Sequence, residues 1–182
     1  MALLVLQRAF FWVAVSILTT TQFLSAQTLT ITEGVQLAFP GSVVERKTFF
    51  LNNEQKEEAR RLAGENIPID NNLVIPYIAH TDGNPVGIAY FDAHRVRTLQ
   101  EVIMVAVDTE DRVIRVETMR FQEPPNYRAP GRWMAQFENR KLDRDLSQKG
   151  DIATITGATL TARAVTAAVR RVMALHAVID PL

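Results

Sequence analysis

From residue 73 to 121 the chain reads LVIPYIAH (Leu73–His80), TDGNP (Thr81–Pro85), VGIAYFDAH (Val86–His94), EVIMVAV (Glu101–Val107), DTEDR (Asp108–Arg112) and VIRVETMRF (Val113–Phe121). The four longer stretches are rich in β-branched and aromatic residues, and turn-forming residues part the members of each pair, so they predict strands. Four strands at hairpin spacing predict an antiparallel meander. Towards the C-terminus, EPPNY (Glu123–Tyr127) interrupts the pattern, and Trp133 to Phe137 reads as a short helix or turn that folds one aromatic pair onto the sheet. Val165, Val169, Val172, Met173, His176 and Ile179 then recur at helical spacing, with Arg163, Arg170 and Arg171 largely outside the stripe, which predicts a helix from about Thr161 to Ile179. Towards the N-terminus, Asn53 is read as the cap of an exposed helix that Gly64 stops. Before it, from Gln27 to Phe50, the pattern is mixed, with Pro40-Gly41 as a turn and Val43, Val44, Phe49 and Phe50 as core contributors. The expected fold class is α+β: an antiparallel β-meander packed with helices, the last of them C-terminal.

Composition narrows the function. The chain has 182 residues, 47% of them hydrophobic, which excludes disorder and a polytopic membrane protein. With 20 Lys+Arg against 20 Asp+Glu and no run of like charges, there is no basic excess to attract nucleic acid, so no nucleic-acid partner is expected. There is no cysteine, which excludes disulfides and thiolate-held metal centres, so redox chemistry would need an organic cofactor. Three scattered histidines without a paired acid motif predict no metal site. Neither a Ser-His-Asp ordering, a Gly-x-Gly-x-x-Gly fingerprint nor a Walker loop is present, and no catalytic residue is assigned.

Residues 1–26 carry one charge, Arg8, then the apolar run Ala9 to Leu18, a polar stretch Thr19 to Gln22, and Leu24-Ser25-Ala26. This is the layout of a secretory signal, which predicts cleavage after Ala26 and an exported, periplasmic or otherwise extracytoplasmic protein. An uncleaved membrane anchor is the alternative, since Leu3 to Leu6 extend the apolar character towards the roughly 20 residues a spanning helix needs. The expected organisation is a signal peptide (1–26), an N-terminal segment with the exposed helix (27–72) belonging to the same compact unit, and the main domain (73–182).

Chemistry is concentrated in DIATITGATLT (Asp151–Thr161), just before the last helix. Gly157 permits positive φ and close backbone approach, Ala158 adds little bulk, and Thr159 is left accessible beside a helix N-terminus. Unpaired N–H groups and the positive end of the helix dipole favour a phosphate there, with Arg163 one turn further in. A Thr-rich N-cap is the commoner meaning of such a run, with Thr161 the best-placed cap. Spacing alone leaves both readings open.

Thr156-Gly157-Ala158-Thr159-Leu160-Thr161 resembles the flavinylation motif of the FMN-binding domain family, found in the peripheral flavin-carrying subunits of Rnf-type and sodium-pumping quinone reductase complexes. The resemblance covers roughly Tyr77 to Ile179. It implies FMN as cofactor, held by Thr156, Gly157, Ala158, Thr159 and Thr161, with the Thr159 hydroxyl esterified to the FMN phosphate by a separate flavin transferase that uses FAD. It also implies redox partner proteins, membrane-bound ones among them, and an electron carrier rather than an enzyme with its own substrate. One position departs: six residues before the modified Thr the family usually has an acid, and here Ala153 stands, with Asp151 two residues further away. Non-covalent FMN is the fallback this departure leaves open. A non-redox binding or assembly module and a small flavin-dependent reductase are the competing functions.

Other residues admit two readings. Arg97 or His94, at the end of the second meander strand, suit a flavin phosphate or ring, but a solvated polar strand end is the commoner meaning. Tyr127 and Trp133 suit stacking on a flat ring, whereas a Trp in a Pro-flanked loop more often anchors that loop to the core. His176, on the apolar stripe, reads as a core or boundary residue.

Overall fold

The computed structural model describes residues 28–64 and 66–182, so the expected signal peptide lies outside the described residues. The elements run α1 (Ile31–Ala38), β1 (Val43–Arg46), β2 (Phe49–Phe50), α2 (Asn53–Ala63), β3 (Leu73–Val74), β4 (Tyr77–Thr81), β5 (Asn84–Arg95), β6 (Gln100–Val107), β7 (Val113–Phe121), α3 (Gly131–Met134) and α4 (Thr159–Ile179). Five strands form one antiparallel sheet in the order β1-β4-β5-β6-β7, and β2 pairs with β3 in a separate ribbon. The fold is α+β.

The β4–β5 hairpin turns on Asp82 and Gly83, both at positive φ (52° and 81°), with Thr81 opposite Asn84. That is the two-residue turn whose twist matches the flanking strands. Because side chains alternate along a strand, β5 sends Ile88 and Tyr90 to one face and Ala89 and Phe91 to the other. The first face joins Ile103, Val105 and Val107 of β6 under Val165, Val169 and Val172 of α4, and Trp133 and Phe137 pack into this layer edge to face, 5.4 Å apart. Across the sheet, Val35 of α1 and Phe39 just past its end cover Ala79, Ala89, Met104 and Met119. Helix α2 lies on α4 through Ala59, Ala63 and Ala174.

Several expectations need correction. The mixed stretch Gln27–Phe50 holds a helix, α1, closed by a capping box in which the Thr30 hydroxyl accepts from Glu33 N–H and the Glu33 carboxylate from Thr30 N–H. Val43 and Phe50 are not core residues: they are 74% and 77% exposed, because β1 is an edge strand and β2 lies outside the main sheet. The stretch Leu73–His80 is two strands, since Pro76 has no N–H to continue a ladder. Asn52, not Asn53, caps α2, its carboxamide oxygen accepting from Gln55 N–H at 2.8 Å, while Gly64 ends the helix at φ 101°. Arg170 and Arg171 serve the fold: Arg170 donates to the carbonyls of Ala63, Asp143 and Leu146, and Arg171 forks onto Asp92 at 2.7 and 2.8 Å.

Candidate functional site

The approach to α4 is held from behind. Trp133 Nε1 donates to Ala153 O at 2.7 Å, Ala153 N–H donates to Gln136 Oε1 at 2.8 Å, and Arg140 pairs with Asp151 at 2.6 Å. Trp133 is therefore a buried anchor for the motif. From there Ala158 N–H closes a turn on Ile155 O, and Gly157 takes φ 82°, the left-handed region that favours glycine. A Cβ built on Gly157 would meet nothing within 4 Å, so that side of the turn is open.

Helix α4 begins at Thr159, two residues before the expected start, with Ala158 as the N-cap residue and no side-chain cap. Its first turn keeps N–H groups for an external acceptor. Thr161 is not the cap: it is buried, and its hydroxyl donates to Tyr127 O at 2.6 Å. A hydroxyl one helical step inside the first turn bonds whatever carbonyl packs there, and here that carbonyl belongs to the turn at Pro125–Tyr127. Thr161→Ala should therefore destabilise the domain by about 1–3 kcal/mol through the orphaned Tyr127 carbonyl, read as a lowered urea midpoint. An unchanged midpoint would mean that this bond contributes nothing.

Thr159 is exposed, and its Oγ1 lies 3.5 Å from Ile155 O, too long to occupy the hydroxyl fully. Gly157, Ala158, Thr159, Leu160 and Thr161 line a cleft of about 270 Å³ together with Val96, Arg97, Glu123 and Tyr127. Thr156 is exposed beside the cleft without lining it, and Arg163 is likewise exposed and not in its wall. So the fold brings Arg97 and Tyr127 to the motif, a juxtaposition no local spacing reveals.

The loop carrying Arg97, Val96–Leu99, joins β5 to β6. Its N–H groups at Arg97, Thr98 and Leu99 all donate to one oxygen, Glu123 Oε1, at 3.2, 2.7 and 2.8 Å, and the Thr98 hydroxyl joins them at 3.3 Å. These backbone donors hold the Glu123 carboxyl below its usual range. Sequence reading missed Glu123, although its place just past β7, before a Pro-Pro break, marks it as a chain-end acceptor.

His94 is elsewhere. It lines a separate groove of about 600 Å³ with Asp92 and Arg171. Its Nδ1 pairs with Asp92 at 3.0 Å, and its Nε2 stands 3.3 Å from Glu101, an ion-pair distance without hydrogen-bond alignment. Burial would push the imidazolium pKa down, but the two carboxylates outweigh it and hold the value above 6.5. His176 is a buried core residue, bridging the Tyr90 hydroxyl at 2.8 Å and Asp111 at 3.0 Å.

The structure is thus an antiparallel α+β domain in which an exposed threonine at a helix start without a side-chain cap shares a cleft with one cation, Arg97. Residues 100–174 match the model of the FMN-binding domain family, and that match supports FMN as the cofactor. No curated protein matches the chain. The cleft residues suit the group: an open Gly157, uncapped N–H donors and Arg97 for the phosphate, with Val96, Tyr127 and Leu160 for apolar contact. At about 270 Å³ the cleft falls just short of the ~300–1,000 Å³ of pockets that enclose a whole ligand. It is sized for part of an FMN.

Proposed function

We propose that this chain is an exported flavoprotein electron carrier whose FMN is esterified through Thr159, passing electrons between partner redox proteins. The observation that carries this reading is the exposed Thr159 hydroxyl on the cleft of a flavin-binding domain, one residue past the Gly157-Ala158 turn. Bound FMN supplies the electron-transfer chemistry, and the chain's own residues hold and tune it. Thr159 offers the ester oxygen to a flavin transferase, displacing AMP from FAD, and the open side of Gly157 gives that enzyme access. The first-turn N–H groups of α4 and the positive end of its dipole favour the phosphodiester charge. Val96, Tyr127 and Leu160 keep water from one side of the cleft.

Export rests on the charge and apolar layout of residues 1–26. A covalent bond suits a compartment where free flavin is scarce and a dissociable cofactor would be diluted away. Protein produced with a flavin transferase and recovered from outside the cytoplasm should begin at Gln27 and weigh one FMN less one water more than its sequence. Recovery in the cytoplasm with Met1 in place would defeat export, and an unmodified mass would defeat covalent attachment, pointing to Ala153 as the reason.

A further inference from the structure

We infer that Arg97, on a loop whose backbone is held by Glu123, is the residue that reads the flavin's phosphate, so that the cleft distinguishes FMN from the phosphate-free flavin. This rests on the reading of the cleft as the FMN site and adds a specificity determinant to it.

Arg97 is the one cation among the residues lining the cleft, which Thr159 also lines. Among the described residues its guanidinium enters no ion pair, whereas Arg60, Arg61, Arg115, Arg140 and Arg171 each have a carboxylate. An exposed, unpaired guanidinium at the rim of a cleft keeps its donors for an incoming anion, and its fork geometry suits phosphate oxygens. The residues that open α4, whose first-turn N–H groups have no side-chain cap, line the same cleft, so both kinds of donor serve one site beside Thr159.

Glu123 gives this arrangement its rigidity. Three successive N–H groups in the Val96–Leu99 loop have no strand partner, and backbone donors must be satisfied. One Glu123 oxygen takes all three and the Thr98 hydroxyl, while Val96 N–H closes the loop on Leu99 O at 3.1 Å. A carboxylate lining an anion site would by itself oppose binding. Here its Oε1 is turned onto the loop amides, so its charge is spent on backbone donors, and what the loop presents to the cleft is Arg97. Glu123 is thus a positioning residue, acting on the cofactor through Arg97.

The test uses the full chain produced without a flavin transferase, titrated with FMN and with riboflavin by fluorescence quenching, with inorganic phosphate as competitor. The unaltered protein should prefer FMN, and phosphate should displace FMN but not riboflavin. Arg97→Ala should weaken FMN binding by roughly tenfold to a hundredfold, as expected for a charge-assisted bond, and leave riboflavin binding unchanged. Arg97→Lys should restore part of the preference. Glu123→Gln and Glu123→Ala should erode it in that order, and the Arg97→Ala/Glu123→Ala double variant should be no worse than Arg97→Ala alone, the non-additivity of residues acting in series. Arg97→Ala weakening both flavins equally, or neither, overturns the phosphate-reading role. Additive losses in the double variant, or selectivity kept in Glu123→Ala, overturn the positioning role. If the unaltered protein binds neither flavin, or if FMN is bound normally by both the unaltered protein and Arg97→Ala, the inference falls alone; the reading of the cleft as the FMN site falls only if protein co-produced with a flavin transferase also carries no adduct on Thr159.

Discussion

Thr159→Ala is expected to give a folded protein that carries no covalent flavin. The substitution deletes one hydroxyl and one methyl from an exposed position, where surface changes usually move stability by no more than about 0.5 kcal/mol. The loss of adduct should nonetheless be complete, because no other hydroxyl of the motif is equivalent. Thr161 is buried and bonded to the Tyr127 carbonyl, and Thr156 lies outside the cleft wall. Thr154 is exposed but separated from the helix start by Ile155 and the Gly157 turn. Peptide mass mapping after co-expression with a flavin transferase reads the site directly, as a peptide heavier by FMN less one water. Thr161→Ala should retain that adduct despite its lower stability. An adduct on Thr159→Ala protein, or its loss only in Thr161→Ala, would move the attachment site.

The second large effect lies away from the flavin cleft, in the seam between α4 and the sheet. His94, Asp92, Glu101 and Arg171 form a quartet of acids and bases whose side chains are at most 16% exposed, and Glu101 is fully buried. His94→Ala removes the cation between two carboxylates and leaves Glu101 with only the Thr118 hydroxyl, 3.4 Å away. Breaking a buried pair in this way should cost about 3–5 kcal/mol, against a total of only about 5–15 kcal/mol for a typical domain. Replacing both members, as in His94→Phe/Glu101→Leu, should recover most of the loss, because desolvating the charges offsets much of what their attraction supplies. The pH dependence has a definite sign. His94 has a folded pKa above its ordinary 6.5, so its contribution is complete below that value and is lost as pH rises through the folded pKa. Urea midpoints should therefore fall on the alkaline side in the native protein, and this fall should be absent in His94→Phe/Glu101→Leu. A flat profile in the native protein, or a His94→Ala variant as stable as its parent, would show that the quartet is energetically neutral.

How far the chain could be read in one dimension depended on the range of the interactions involved. The strand Val113–Phe121 was legible to the residue, and the stripe on α4 was legible through Ile179, because period and turn chemistry act over a few neighbours. The approach to α4 was legible for the same reason: Gly157 at positive φ and Thr159 beside a helix start follow from local sterics. Helix α1 was missed although Thr30 and Glu33 spell its capping box, because its short apolar pattern did not stand out from the mixed stretch around it. Val43 and Phe50 were misplaced because an apolar residue carries no record of whether its strand is central or lies at an edge.

Thr161 shows where local reasoning ends. A threonine at a helix start caps the helix only if nothing nearer competes for its hydroxyl, and the competitor, Tyr127 O, is 34 positions away in the chain. Arg97 and Glu123 come to the cleft in the same way, by the pairing of β5, β6 and β7 that returns both loops to one end of the sheet. The amino-acid order therefore determined the elements, the motif and the hydroxyl, all of which rest on short-range sterics and periodicity. Tertiary structure decided which hydroxyl stays accessible, which cation faces it and which carboxylate is buried, since those depend on contacts between residues that only strand register and helix packing bring together.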